Sequence, residues 1–276
     1  MKTIYKIPLL IVLFLTSFLS AQEKIKGNKE VTRENRNISN FDKIEIIDNL
    51  DVKLVYNADQ SVNVETDSNL QSSIITSVNN GMLSVSIQNK IVNKKELMVH
   101  INVNSSLKEI NGYNKSNIES NNSLNIDTLT INSFDNCDIN LKLNSKLLRI
   151  NSKKISDLKF EILSEQVFIN SEESSSIKGT IDAVETIFSL IDKSVVNING
   201  STNVFEIETL GNSTFKGKDF TAKDVVINAS NSSNAYIKAT KSIDIYTKNS
   251  AEVYLYDNPK ITLSEFFDKS SIYKKE

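Results

Sequence analysis

Apolar residues recur along the second half of this chain with a period of about 19 residues. The anchors are Ile110, Ile131, Ile150, Ile169, Phe188, Ile207, Ile227, Ile245 and Leu263, spaced by 18 to 21 positions. Eight positions after them comes a second apolar column: Ile118, Ile139, Leu158, Ile177, Val196, Phe215, Ala235 and Val253. Only the last anchor breaks step, with Ile272 nine positions on. Two residues before most anchors sit Leu129, Leu148, Val167, Thr186, Phe205, Val225, Ile243 and Ile261, and two after the second column sit Leu141, Phe160, Ile198, Ile237 and Leu255. Spacing by two is the strand period, so each repeat holds at least two short strands with one face inward. A weaker cluster, Ile126, Ile162, Ile181 and Phe220, marks a third. Repeats of this length that cannot bury their own apolar face predict stacking into a solenoid.

Two further columns refine the prediction. Six positions after the anchors stand Ser116, Cys137, Ser156, Ser175, Ser194, Ser213, Ser233 and Ala251, all small. They share the parity of the apolar column two residues on, which predicts a tight inward corner. A ladder of nucleophilic serines would need a base, and the pattern supplies none. Directly after the anchors come Asn111, Asn132, Asn151, Asn170 and Asn228, read as a hydrogen-bonded Asn ladder closing a turn.

The first half alternates without the strict register. Strands are expected around Ile44–Ile46, Val52–Leu54, Val62–Val64, Ile74–Val78, Leu83–Ile87 and Val99–Val103, with Asn80-Gly81 as a hairpin turn. This half is read as the atypical capping start of the solenoid or a closely packed β layer. The fold class is therefore all-β, a parallel β-helix preceded by a β-rich N-terminal capping layer.

Before these strands, Lys2 and Lys6 precede an apolar run from Ile7 to Leu19. It is too short for a stable span and reads as an export signal over residues 1–21, cleaved after Ser20 or Ala21. No later segment approaches span length, and no Cys follows the run to carry a lipid. The expected organisation is an N-terminal segment over 22–40, a β-helical domain over 41–262 (β-rich to 104, regular repeats from 105), and a C-terminal cap or tail over 263–276.

Composition fits an exported strand stack. Serine and asparagine make up roughly a quarter of the chain, far above ordinary usage. Prolines are limited to Pro8 and Pro259. The formal net charge is -2 and Trp is absent, so nothing calls for nucleic acid. The lone Cys137 forms no disulfide within the chain and reads as a small buried hydrophobe.

Elements in the first half carry a family resemblance. Arg36-Asn37-Ile38-Ser39-Asn40-Phe41-Asp42-Lys43-Ile44, then the DVKLVY run from Asp51, VNVETDSNL from Val62 and Asn80-Gly81-Met82-Leu83-Ser84-Val85 together resemble the GIN-domain family, described as auto-transporter adhesin head domains. The downstream repeats are similar to that family's β-helical body. The resemblance covers about residues 27 to 260, and this chain carries fewer glycines than relatives do. It implies export, a parallel β-helix and an adhesin-like role.

Chemistry is sparse. His100 is the one histidine; it ends an alternating strand and reads as a satisfied strand residue, which removes most metal-site and triad readings. There is no phosphate-binding loop. Asp135, Asp138, Asp157 and Asp192 recur near turns but fall in no consistent column, and Lys115, Lys153, Lys154 and Lys193 intrude among them. This is expected to be a solvated mixed-charge surface rather than a carboxylate pair for glycan cleavage. No catalytic residue, metal or cofactor is expected.

Aromatics gather late: Tyr236, Tyr246, Tyr254, Tyr256, Phe266, Phe267 and Tyr273. Tyr236, Tyr246, Tyr254 and Tyr256 have outward parity, and they are read either as a binding face or as rings packed under a C-terminal cap. Three functions compete. The leading one is a non-catalytic scaffold, at the cell surface or secreted, binding a glycan or a protein partner. The second is a periplasmic, envelope-associated structural protein, towards which the lack of a sorting domain after Tyr273 tilts. The third is a glycan-active β-helix enzyme, which would need a carboxylate column and a cleft.

Overall fold

In the computed structural model, residues 24–276 are described; the export signal expected over residues 1–21 lies outside them. Coils of about 19 residues stack into a β-solenoid of about 9 turns. From residue 138 each coil is largely one long bent strand: Asp138–Ser152, Asp157–Ser171, Ser176–Asp192, Val195–Gly211, Thr214–Ser230 and Asn234–Lys248. Each pairs in parallel with the next, so the anchors form one ladder, with Ile131 beside Ile150, Ile150 beside Ile169 and Ile169 beside Phe188. The second column does the same through Ile139, Leu158, Ile177 and Val196. Both ladders are buried. In-register stacking of identical apolar faces joins what a single coil cannot bury into one core.

The third apolar cluster belongs to the same long strands. Leu143, Ile162 and Ile181 are neighbours in the ladder, and Leu124, rather than Ile126, takes the matching place one coil earlier. Phe188, Phe205, Phe215 and Phe220 meet inside the coils at ring-centroid separations of 5.1 to 6.5 Å, a local aromatic core.

The corner predicted from the small residues is present. Ser116, Cys137, Ser156, Ser175, Ser194, Ser213, Ser233 and Ala251 are all buried. Beside them stand a second set of small inward residues, Ser133, Ser152, Ser171 and Thr209. The turn outside each corner takes left-handed backbone, at Lys154, Glu173, Asp192 and Gly211 among others. Polar residues tolerate that conformation at a modest cost, and it lets the chain reverse direction in few residues.

The Asn ladder exists but lies on the outer face of a strand instead of closing a turn. Asn132 donates to Asn111 at 2.7 Å and Asn151 to Asn132 at 2.8 Å. Asn170 turns its amide to Glu172 at 2.9 Å.

The N-terminal end is built out of sequence order. The strands Lys43–Ile46 and Asp51–Tyr56 form a coil that stacks directly on Glu109–Gly112 and Asn117–Ser120. The intervening chain leaves this coil and returns beneath it. The hairpin of Ile74–Asn79 and Met82–Ile87 covers one face, with Asn80 and Gly81 both at positive φ (49° and 77°) as a primed hairpin turn requires. Leu97–Val103 covers another face in parallel, followed by Ser61–Asp67 and Val31–Arg36 in antiparallel order. Switching to antiparallel pairs ends the stack with a cap.

At the opposite end the final coil, Lys260–Phe266 and Ser271–Lys274, ladders on Asn234–Lys248 and Glu252–Tyr256. Its anchor Leu263 and the residue two before it, Ile261, differ from their predicted inward environment: Ile261 is 52% exposed and Leu263 50%. The period assigns their parity correctly, but among the described residues no further coil covers them. The late break in step is a bulge: Ile245 faces Leu263, but Tyr246 faces Glu265, so Ser264 is the extra residue.

Candidate functional site: an aromatic ladder at the C-terminal end

Parallel in-register strands place equivalent residues one rung apart, at about the 4.8 Å strand spacing. Tyr236, Tyr254 and Tyr273 occupy one such outward column. Their rings stack: Tyr236 on Tyr254 at 4.4 Å and 6°, Tyr254 on Tyr273 at 5.0 Å and 19°. Lys275 lies over the rings of Tyr254 and Tyr273, its Nζ 5.1 and 5.7 Å from their centroids. The same column continues through Lys216, Asn197, Lys178 and Lys159 towards the N-terminal end.

The Tyr254 hydroxyl donates to Glu252 Oε2 at 2.5 Å. That bond, then burial and the Glu252 charge, raise the phenol well above the usual tyrosine range, so it remains a neutral donor. Tyr256 follows on the same strand and faces Lys238 across the ladder. It lines an open cleft of about 970 Å³ together with Lys218, Lys238, Asp257, Asn258 and Lys274.

Of the four tyrosines read from parity, Tyr236, Tyr254 and Tyr256 share this surface. Tyr246 stands apart, beyond the bend near residues 239–242, in the column of Asn228 and Glu208 on the anchor face. Its hydroxyl donates to Asp244 at 3.3 Å. Tyr273 completes the stack although parity reading left it out of the four. Its spacing from Tyr254 is the coil length, and that signal was sufficient to place it.

The other candidate groups are accounted for structurally. His100 Nε2 lies 2.9 Å from Glu65 Oε2 on adjacent antiparallel strands. Cys137 is buried, with Ser116 Oγ 3.1 Å from its Sγ, and burial raises its thiol. Asp135 pairs with Lys154, and Lys153 with Glu172 at 2.9 Å. Asp138 and Asp157 are ladder neighbours, and Lys178 lies 3.5 Å from Asp157. Among the described residues no group of three or more His, Cys, Asp or Glu side chains is placed to hold a metal ion. Nor is any helix among them long and apolar enough to cross a membrane.

A parallel β-solenoid with an antiparallel N-terminal cap and an outward aromatic ladder defines a class of stacked-coil scaffold. The chain belongs to the family described as "Putative auto-transporter adhesin, head GIN domain", whose profile matches residues 40–161 and 158–259. Solved structures share its fold. A putative lipid binding protein from Parabacteroides distasonis superposes with a TM-score of 0.65 at 18% identity, over 92% of this chain and 100% of that one. A putative adhesin from Parabacteroides merdae gives 0.65 at 15% identity over the same shares. A second putative adhesin from Parabacteroides distasonis gives 0.63 at 14%, again over 92% and 100%. No curated protein matches the chain.

Proposed function

We propose that this chain is a non-catalytic, exported binding scaffold, adhesin-like in role, whose ligand contact is the tyrosine–lysine surface at its C-terminal end. The observation that carries the reading is the stack of Tyr236, Tyr254 and Tyr273 under Lys275, beside the cleft lined by Tyr256. Rings held by their neighbours lose little conformational freedom on binding, and their exposed edges offer apolar contact with hydrogen-bonding tips. Lysines and the carboxylates of Asp219, Asp257 and Glu276 line the cleft together, so ring contact and hydrogen bonding rather than net charge would hold the ligand, a glycan or an envelope or surface protein. Family membership supports the adhesin-like role. One fold relative is called a putative lipid binding protein; in this chain buried side chains fill the interior of the coils, which favours contact on the outer surface.

The test is binding of the purified protein to immobilised acidic and neutral polysaccharides and to solubilised envelope proteins, with melting followed in parallel. Serine at Tyr236, Tyr254 and Tyr256 together is expected to abolish binding while cooperative melting persists. Tyr246→Ser is expected to leave binding unchanged, since that ring lies on another face. Loss of cooperative melting in the triple variant would show a cap and overturn the reading. Protease shaving of intact cells, against a periplasmic control, separates a surface adhesin from a periplasmic envelope protein.

A further inference from the structure

The two ends of the solenoid present different edge strands. At the N-terminal end, the outer strand Val31–Arg36 runs antiparallel to Ser61–Asp67 and exposes charged residues, including Arg33 and Glu34. Charge on an edge strand discourages further pairing. At the C-terminal end, the strand Lys260–Phe266 is exposed along its whole length. Among the described residues its only ladder partner is Asn234–Lys248. Ile261, Leu263, Phe266 and Phe267 are between 46% and 58% exposed there, the end of the core left open. This edge alternates exposed apolar residues with Lys260 and Glu265, so it is a template only for a strand that covers the apolar residues and pairs those charges.

We propose that this end docks on the same end of a second copy, the two Lys260–Phe266 strands pairing antiparallel about a twofold axis at Thr262. The register follows from the ladder. Ile261 and Leu263 continue the inward columns of Ile243 and Ile245, and the bulge makes Ser264 and Glu265 share one outward position opposite Tyr246. With Thr262 on the axis, Ile261 meets the partner's Leu263, so apolar side chains of each open core cover the other. Lys260 then meets the outward position that the partner's Ser264 and Glu265 share. The strand is thus complementary to its own reverse in both apolar pattern and charge, as a twofold contact requires. A head-to-tail stack would instead set this apolar edge against the charged strand Val31–Arg36. The twofold contact closes, giving a dimer with its two aromatic ladders near the centre, and it stands whether or not those ladders bind a ligand.

Sedimentation of the purified protein across micromolar concentrations tests this directly. A dimer is expected, and Leu263→Lys, at an exposed position, is expected to weaken it at least about tenfold without changing the far-ultraviolet spectrum. Lys260→Glu should also weaken it, and adding Glu265→Lys in the same chain should restore it. Thr262→Cys is expected to cross-link to itself under mild oxidation, because directly opposed residues in an antiparallel pair fall within disulfide reach. Cys137 is buried and does not compete. Thr128→Cys, exposed on the body of the solenoid, is the control. A monomer at every concentration, or a dimer indifferent to Leu263→Lys whose Thr262→Cys form cross-links no faster than the control, would overturn the proposal.

Discussion

The hydroxyls of Ser171 and Ser175 lie 2.7 Å apart inside a corner of one coil, both buried. Ser175 Oγ also lies 2.9 Å from the carbonyl oxygen of Glu172, so the pair ties the corner to its own turn. Ser175→Leu is expected to overpack this corner and cost about 1–3 kcal/mol. Ser175→Ala should cost about 1 kcal/mol, the worth of a typical hydrogen bond. Ser194 occupies the same column, but its Oγ has no partner among the described residues. Ser194→Ala is therefore expected to be neutral or stabilising. Urea unfolding of the three variants checks the order; a Ser175→Leu protein as stable as the parent would disprove the packed corner.

Ile169 sits between Ile150 and Phe188 in the anchor ladder, 2% exposed. Ile169→Asp would bury a carboxylate with no partner, and loss of cooperative folding is expected. Ile169→Val removes one methylene and should cost about 0.5–1.5 kcal/mol. Thermal melting by circular dichroism distinguishes the two.

Gly179 lies between Phe160 and Ile198 in an otherwise apolar ladder, at φ +143°. A Cβ there would stand 1.9 Å from the Phe160 carbonyl oxygen, a backbone atom of the neighbouring coil. Gly179→Ala is expected to destabilise by more than about 1 kcal/mol, against the usual small gain where the backbone suits alanine. Comparison with Gly27→Ala would be uninformative, because that site clashes with a side chain instead. Chemical denaturation of Gly179→Ala alone decides the point.

The carboxyl of Asp138, on the outer face of its strand, is raised above the ordinary aspartate value, first by partial desolvation and then by the charge of neighbouring Asp157. The folded state therefore holds this proton more tightly than the unfolded chain. Its favourable contribution is complete below the unfolded value and is lost as pH rises through the folded one. Asp138→Asn is expected to raise the melting temperature at neutral pH and to leave it nearly unchanged at strongly acidic pH. Equal shifts at both pH values would show that the group is not perturbed.

Parity and period were enough to read most of the body from sequence. The anchor ladder, the second apolar column and the small-residue corner follow from spacing alone, because a coil of constant length forces equivalent residues onto one line. Parity says only inward or outward. It could not separate Tyr246 from Tyr254, since the bend between their faces leaves alternation intact. It also could not show that Ile261 and Leu263 lack cover, because burial depends on the coil that would come after them. The capping layer was hidden for a different reason. Antiparallel strands such as Ser61–Asp67 and Leu97–Val103 carry no fixed offset, so nothing in their spacing reveals their partners.

The displaced first coil has a kinetic consequence. Ile44 pairs with Ile110, while Ile150 pairs with Ile169 at a separation of one coil. During synthesis the segment that starts the solenoid emerges first and waits for a strand far behind it. Closing that long loop costs more entropy than adding a coil to an existing stack. Assembly is thus expected to begin in the body and reach the N-terminal end late, with the cap as the last part to lock.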